Sequence, residues 1–182
     1  AEPSRPGPSA TGPLETRSLT GAAYGPQEVE PNNSAATATP LAGSTTLVTG
    51  NVFPAADVVF YSFSAAAGDR VYAATQTLFD ASASGDSTLQ VIDVDGTTIL
   101  EADNNDGTFN ASSSTLAGTL IPSAGTYYLR VAHNVVTGTL RPYDLYFRLQ
   151  SAAPTAEAEP NNTPATATPI PASGHVSGTI SA

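Results

Sequence analysis

From about residue 45 onward the chain alternates apolar and polar positions in short runs. Val59, Tyr61 and Phe63 oppose Val58, Phe60 and Ser62, and Val71 and Ala73 alternate with Tyr72 and Ala74. Leu89 and Val91 follow, then Ile99. Tyr127, Leu129 and Val131 fall on one phase with Tyr128 and Arg130 on the other, and Tyr143, Leu145, Phe147 and Leu149 alternate with Asp144, Tyr146, Arg148 and Gln150. A period of two over such lengths predicts strands with one buried face. Turn formers separate the runs: Ala67-Gly68-Asp69, Asp95-Gly96, Asn104-Asn105-Asp106-Gly107, Ser123-Ala124-Gly125 and Gly138. Asp-Gly between two alternating runs is a strong hairpin signal. The pattern predicts an all-β, antiparallel β-sandwich of about eight strands, with no amphipathic helix.

Both ends depart from this alternation. Residues 1–26 carry Pro3, Pro6, Pro8, Pro13 and Pro26 among Gly, Ser and Thr. Such a segment favours extended backbone and offers no packing face, so it reads as an arm or linker. The C-terminal end repeats an earlier one. Glu28-Val29-Glu30-Pro31-Asn32-Asn33 followed by an Ala/Thr stretch and Pro40 returns as Glu157-Ala158-Glu159-Pro160-Asn161-Asn162 with a similar stretch and Pro169. Val48-Thr49-Gly50-Asn51-Val52 returns as Val176-Ser177-Gly178-Thr179-Ile180. The expected division is an arm at 1–26, a sandwich at 27–152, and at 153–182 a linker with the first strand of a second copy.

Composition narrows the partners. The 182 residues have no Lys and a net charge of −10, which excludes a nucleic-acid backbone as ligand and is compatible with hard cations. Cysteine is absent, so neither disulfides nor thiol chemistry operate. No apolar run approaches the ~18 residues that span a membrane. The start, Ala1-Glu2-Pro3-Ser4, reads as a mature N-terminus after signal removal, and the expected location is extracellular or cell-surface.

The Glu-Pro-Asn-Asn linker is followed by Asp57-Val58-Val59-Phe60-Tyr61-Ser62-Phe63, Ala67-Gly68-Asp69-Arg70-Val71 and Asp86-Ser87-Thr88-Leu89 with Asp95-Gly96. Then come Ala124-Gly125-Thr126-Tyr127-Tyr128-Leu129-Arg130-Val131 and Tyr143-Asp144-Leu145. This succession resembles the bacterial pre-peptidase C-terminal domain family over about residues 28–150, and again from 157. The resemblance implies a jelly-roll-like sandwich carried by secreted bacterial proteins, often beside peptidases. The similar collagen-binding domains of clostridial collagenases hold calcium near the linker. By motif match the candidate ligands here are Glu28, Glu30, Asn32 and Asn33, with the Gly50 carbonyl. The chain departs from the family at Val59 and Ala56, both apolar, which leaves Asp57 as the one carboxylate nearby and implies weaker calcium binding.

Other candidates carry less chemistry. Asp103-Asn104-Asn105-Asp106-Gly107 is oxygen-rich but lacks EF-hand spacing and reads as a turn. Gly85-Asp86-Ser87 matches three residues of hydrolase nucleophile motifs without the strand-to-helix elbow. A triad needs a His base, and only His133, expected to close a strand, and His175 are present. Tyr128, Arg130, Tyr146 and Arg148 lie on outward phases and are candidate partner contacts, against ordinary cross-strand pairing. The expected function is a non-catalytic extracellular structural module. In that reading it self-associates head to tail through a C-terminal strand, 174–181, carrying His175, Val176, Ser177, Gly178, Thr179 and Ile180. The alternatives are contact with adjacent domains of a longer chain, or an accessory binding module for a peptidase substrate or matrix.

Overall fold

The computed structural model describes residues 26–77, 85–105, 107–151 and 153–179. Its strands are β1 (Thr39–Pro40), β2 (Thr45–Val52), β3 (Val58–Ala65), β4 (Arg70–Gln76), β5 (Ser87–Ile92), β6 (Ile99–Asp103), β7 (Thr115–Leu120), β8 (Gly125–His133), β9 (Leu140–Gln150), β10 (Thr155–Ala156) and β11 (Val176–Ser177). One sheet has the order β1-β3-β8-β5-β6 and a second β2-β9-β4-β7. Counted along the eight longer strands β2 to β9, these orders are 2-7-4-5 and 1-8-3-6, the jelly-roll arrangement of two nested Greek keys. The expected all-β, jelly-roll-like sandwich is what forms.

The alternating runs become strands because the same phase stays dry along each of them. Val59, Tyr61, Phe63, Leu89, Val91, Tyr127, Leu129 and Val131 of one sheet face Val48, Val71, Ala73, Tyr143, Leu145 and Phe147 of the other, all buried. Phe63 lies between Tyr127 and Phe147, with ring centroids 6.2 Å and 5.0 Å away. The Asp95-Gly96 turn joins β5 to β6 as expected, Gly96 standing at φ 73° and Asp95 Oδ1 accepting the Thr97 and Thr98 amides at 2.8 Å.

Two elements escaped the periodicity. In β7 the buried positions are Leu116 and Thr119, three apart, because the pairing with β4 shifts register at Val71/Tyr72. There Gly118, at φ 100°, lies under the Tyr72 ring, and this bulge breaks the two-residue alternation. The two-residue β1 runs parallel to β3, with Thr39 opposite Tyr61.

The expected arm at 1–26 lies outside the described residues except Pro26, whose carbonyl already accepts the Thr49 amide at 3.3 Å. The expected strand at 174–181 is the two-residue β11, paired in parallel with β10 of the same chain, and Ile180 lies outside the described residues.

Candidate functional site

The linker folds back on the sandwich through one carboxylate. The Glu28 amide donates to Thr49 O at 3.2 Å, which brings its side chain over the end of β2. Glu28 Oε1 accepts the Asn51 amide at 2.5 Å. Its Oε2 accepts from the hydroxyls of Tyr61 on β3 and Tyr143 on β9 at 3.4 and 3.5 Å, and those two hydroxyls are 2.7 Å apart. Gly50 makes this possible: a Cβ there would stand 2.6 Å from Tyr143 Oη and 2.7 Å from Glu28 Oε2. Burial, reinforced by the charges of Glu30 and Asp57 and opposed by the Asn51 amide and the Asn32 side chain, pushes Glu28 up to about 7. Burial likewise holds both tyrosines well above the usual phenol range.

Beside Glu28, Asn32 is fully buried. Its carbonyl accepts the Phe60 amide at 2.8 Å, and its Nδ2 donates to Thr39 Oγ1 at 3.3 Å. Its Oδ1 has no hydrogen-bond partner among the described residues. Glu30 Oε2 accepts the Asn32 amide at 3.0 Å. Calcium requires six to eight oxygens, and an orphaned buried carbonyl oxygen beside two carboxylates is the part of this set that fits one. Asp57 and Asn33 do not fit. Asp57 Oδ1 accepts from Asn33 Nδ2 at 2.7 Å and from the Val58 amide at 2.9 Å, and Oδ2 accepts the Phe53 amide at 3.0 Å. Asn33 therefore presents an N–H where a ligand would present oxygen. Among the described residues no three acidic, His or Cys side chains gather as a metal cluster. The candidate ligands thus reduce to Glu28, Glu30 and Asn32.

The second copy of the linker rebuilds the same hydrogen bonds. The Glu157 amide donates to Ser177 O at 2.9 Å, Glu157 Oε1 accepts the Thr179 amide at 2.6 Å, and the Asn161 amide donates to Glu159 Oε2 at 2.9 Å. Thr168 Oγ1 bridges the amide and carbonyl of Ala158 as Thr39 Oγ1 bridges those of Val29. What differs is the cover. Glu157 Oε2 accepts from Asn161 Nδ2 at 2.9 Å, where Glu28 has two buried tyrosines, and Asn161 is half-exposed. No strand among the described residues pairs with 168–169 as β3 pairs with β1.

This copy is tied to the sandwich at one joint. Arg148 Nη2 and Gln150 Nε2, at the end of β9, both donate to Ser173 O, the latter at 3.0 Å. Gly174 follows at φ 68°, where a Cβ would stand 2.6 Å from Arg148 Nη2. His175 lines an adjoining cavity of about 370 Å³ with Asp69 and Pro154. Gly174→Val is expected to release the joint: amide hydrogen exchange at 155–179 should accelerate at least tenfold while that of β8 stays unchanged, and equal protection in the variant would show that the joint is not held there.

The four outward Tyr and Arg positions do not make one surface. Tyr128 and Arg130 lie on β8 and Tyr146 and Arg148 on β9, in opposite sheets, so their outer faces look in opposite directions. Arg148 is engaged by the chain's own segment, and Tyr146 packs on Phe109 with centroids 4.8 Å apart. Ser87 is sealed: fully buried, its hydroxyl is 2.7 Å from Thr75 Oγ1 and 3.2 Å from Ser114 Oγ. His133 closes β8, its Nδ1 accepting the Val135 amide at 2.9 Å. Tyr61 and Tyr143 were not legible as site residues. They are 82 residues apart and read as ordinary core positions.

The family model for the bacterial pre-peptidase C-terminal domain matches residues 57–133, from the start of β3 through β8. The match covers less than half of the chain. The pre-peptidase C-terminal (PPC) domain is a non-catalytic module of secreted peptidases. The PPC domain of a Bacillus anthracis collagenase is 17% identical, with a TM-score of 0.46, covering 61% of this chain and 94% of that one. A periplasmic inhibitor of g-type lysozyme from Aeromonas hydrophila is 14% identical, with a TM-score of 0.45, covering 62% of this chain and 96% of that one. The Salmonella Typhimurium inhibitor of the same class is 15% identical, with a TM-score of 0.39, covering 62% and 99%. No curated protein matches. The PPC match stops short of both linkers, so Glu28 and Glu157 lie outside it. No helix among the described residues is long and apolar enough to cross a membrane.

Proposed function

We propose that this chain is a non-catalytic structural module at the cell surface, and that its segment 155–179 is a connector that docks on another copy of the sandwich by strand exchange, taking the places of that copy's β1 and β2 beside its β3 and β9. One observation carries this reading. The segment holds the linker's internal hydrogen bonds, from Glu157 to Ser177 and Thr179, without the two sheets that cover the same bonds around Glu28. Its backbone at 168–169, which no strand among the described residues pairs, corresponds to β1 beside β3, and residues 176–178 correspond to the part of β2 beside β9, so strand exchange gives both a sheet partner. Docking in trans joins subunits head to tail. A calcium ion held by Glu28, Glu30 and Asn32 would neutralise the carboxylates and take up the orphaned Asn32 oxygen.

The test compares the full chain with one ending at residue 152, by light scattering and negative-stain electron microscopy, with and without calcium. The expected result is concentration-dependent oligomers or fibres from the full chain and a folded monomer from the shorter one. Equal assembly of both, or a full chain monomeric at millimolar concentration, would overturn head-to-tail docking. The outer face of β2-β9-β4-β7 favours a second reading as a substrate-binding accessory module. An apolar hollow of about 340 Å³ lies there between Leu47, Tyr72, Ala74 and Tyr146.

A further inference from the structure

On the opposite sheet Arg130 occupies the middle of β8, the central strand of β1-β3-β8-β5-β6, and points outward. It is half-buried. Its one hydrogen bond among the described residues runs from Nη1 to Gln90 Oε1 at 3.2 Å, a neutral acceptor on the neighbouring strand β5, and it makes no ion pair. A guanidinium has five N–H donors in a planar fork, and Arg130 lines a cavity of about 290 Å³. Thr88, Gln90 and Asn134 line that cavity with hydrogen-bonding groups, and Val135 and Val136, 51% and 69% exposed, border it. Burial lowers the Arg130 guanidinium from the usual arginine range with no carboxylate to offset it. Two further groups border the cavity. Asp57 has both oxygens occupied by N–H donors, and His133 holds the Val135 amide.

We propose that this cavity is a binding pocket for a singly charged carboxylate on a short aliphatic body, with Arg130 gripping both oxygens, Gln90 steadying the guanidinium, and Val135 and Val136 covering the aliphatic part. The sign of the ligand follows from a half-buried cation with no counter-ion among the described residues, in a chain of net charge −10. Its single charge follows from the count of groups. The pocket offers one cation with Asp57 at its border, so the second charge of a phosphate finds no second cation to balance it and adds to the repulsion from Asp57 that a carboxylate meets once. The planar fork matches a carboxylate's two oxygens. The volume suits a glutamate or aspartate side chain or a small aliphatic acid. The site does not depend on the connector.

The full chain, labelled with ¹⁵N, is titrated with isovalerate, N-acetylglutamic acid α-amide and inorganic phosphate, following the Arg130 Nε and Gln90 side-chain resonances. Both carboxylates are expected to bind saturably with Kd of about millimolar order, and phosphate at least threefold more weakly. Arg130→Gln is expected to lose at least tenfold. Val136→Asp, on an exposed loop where folding is not at stake, is expected to weaken binding by placing a second anion at the rim. Tighter binding of the glutamic amide assigns the pocket to an acidic side chain of a partner protein, and tighter binding of isovalerate to a small acid. Either supports the site. Absence of a saturable shift, phosphate binding as tightly as the carboxylates, or unchanged binding in Arg130→Gln overturns it.

Discussion

Gly50→Val is expected to lower the unfolding free energy by about 3 kcal/mol, whereas Gly178→Val, at the matching position of the second copy, should leave the sandwich's melting temperature unchanged. Both glycines lie beside a glutamate. A Cβ at 50 would meet Tyr143 Cζ and Oη and Glu28 Oε2 at 2.6–2.7 Å, and the Tyr143 ring is locked in the core with nowhere to move. Valine adds two methyls to that overlap and forces the tyrosine, the linker, or both out of place. At 178 the nearest atoms are the Glu157 carboxylate, with Oε1 at 2.5 Å, at the end of a half-exposed side chain that can swing away. Urea unfolding of the two variants gives the comparison, and equal losses would mean that the second linker is as tightly covered as the first. If the connector docks as proposed, Gly178→Val also suppresses assembly, because the docked copy would meet a tyrosine equivalent to Tyr143.

The second large effect is a pH dependence that calcium reverses. Glu28 titrates at about 7 in the folded chain against 4.5 unfolded. Below pH 4.5 both states hold the proton and burial costs nothing extra. Between 4.5 and 7 the unfolded chain releases it while the folded chain keeps it, so stability falls as pH rises, and above 7 the loss is complete. Because the side chain is partly exposed, solvent screening reduces the effect to on the order of 1 kcal/mol, or about 4 °C in Tm. Thermal unfolding from pH 4.5 to 8.5 measures it, and Glu28→Gln should flatten the curve. A profile unchanged in Glu28→Gln would assign the dependence elsewhere. Millimolar calcium at pH 8 favours the ionised form and should restore the lost stability in the wild type only. No response to calcium at pH 8 would remove the cation from the proposal and leave the pH effect standing.

The linker shows which parts of the site were readable in advance. Glu28, Glu30, Asn32 and Asn33 were singled out by the resemblance of the Glu-Pro-Asn-Asn linker to a family whose relatives hold calcium there, and the repeat marks the same four positions without saying what they contact. Asp57 was singled out as a nearby carboxylate, but its neighbours along the chain supply the N–H groups of Phe53 and Val58 that occupy it. Arg148 was legible as outward-facing, yet the carbonyl it holds, at Ser173, comes from 25 residues further on.

The alternation of apolar side chains by itself determined the all-β class, the strands β3, β4, β8 and β9, and which of their faces is dry, because period-two burial is a property of each strand alone. It could not place β7, where a bulge over Gly118 changes the period, nor the parallel β1, which pairs through backbone only. The tertiary structure alone decided that Tyr61 and Tyr143 close over Glu28, that the two Tyr/Arg pairs face opposite ways, and that Arg130 has no counter-ion among the described residues. Each of these depends on which sheet a strand joins, and that is settled by packing between residues distant in the chain, where local pattern carries no information.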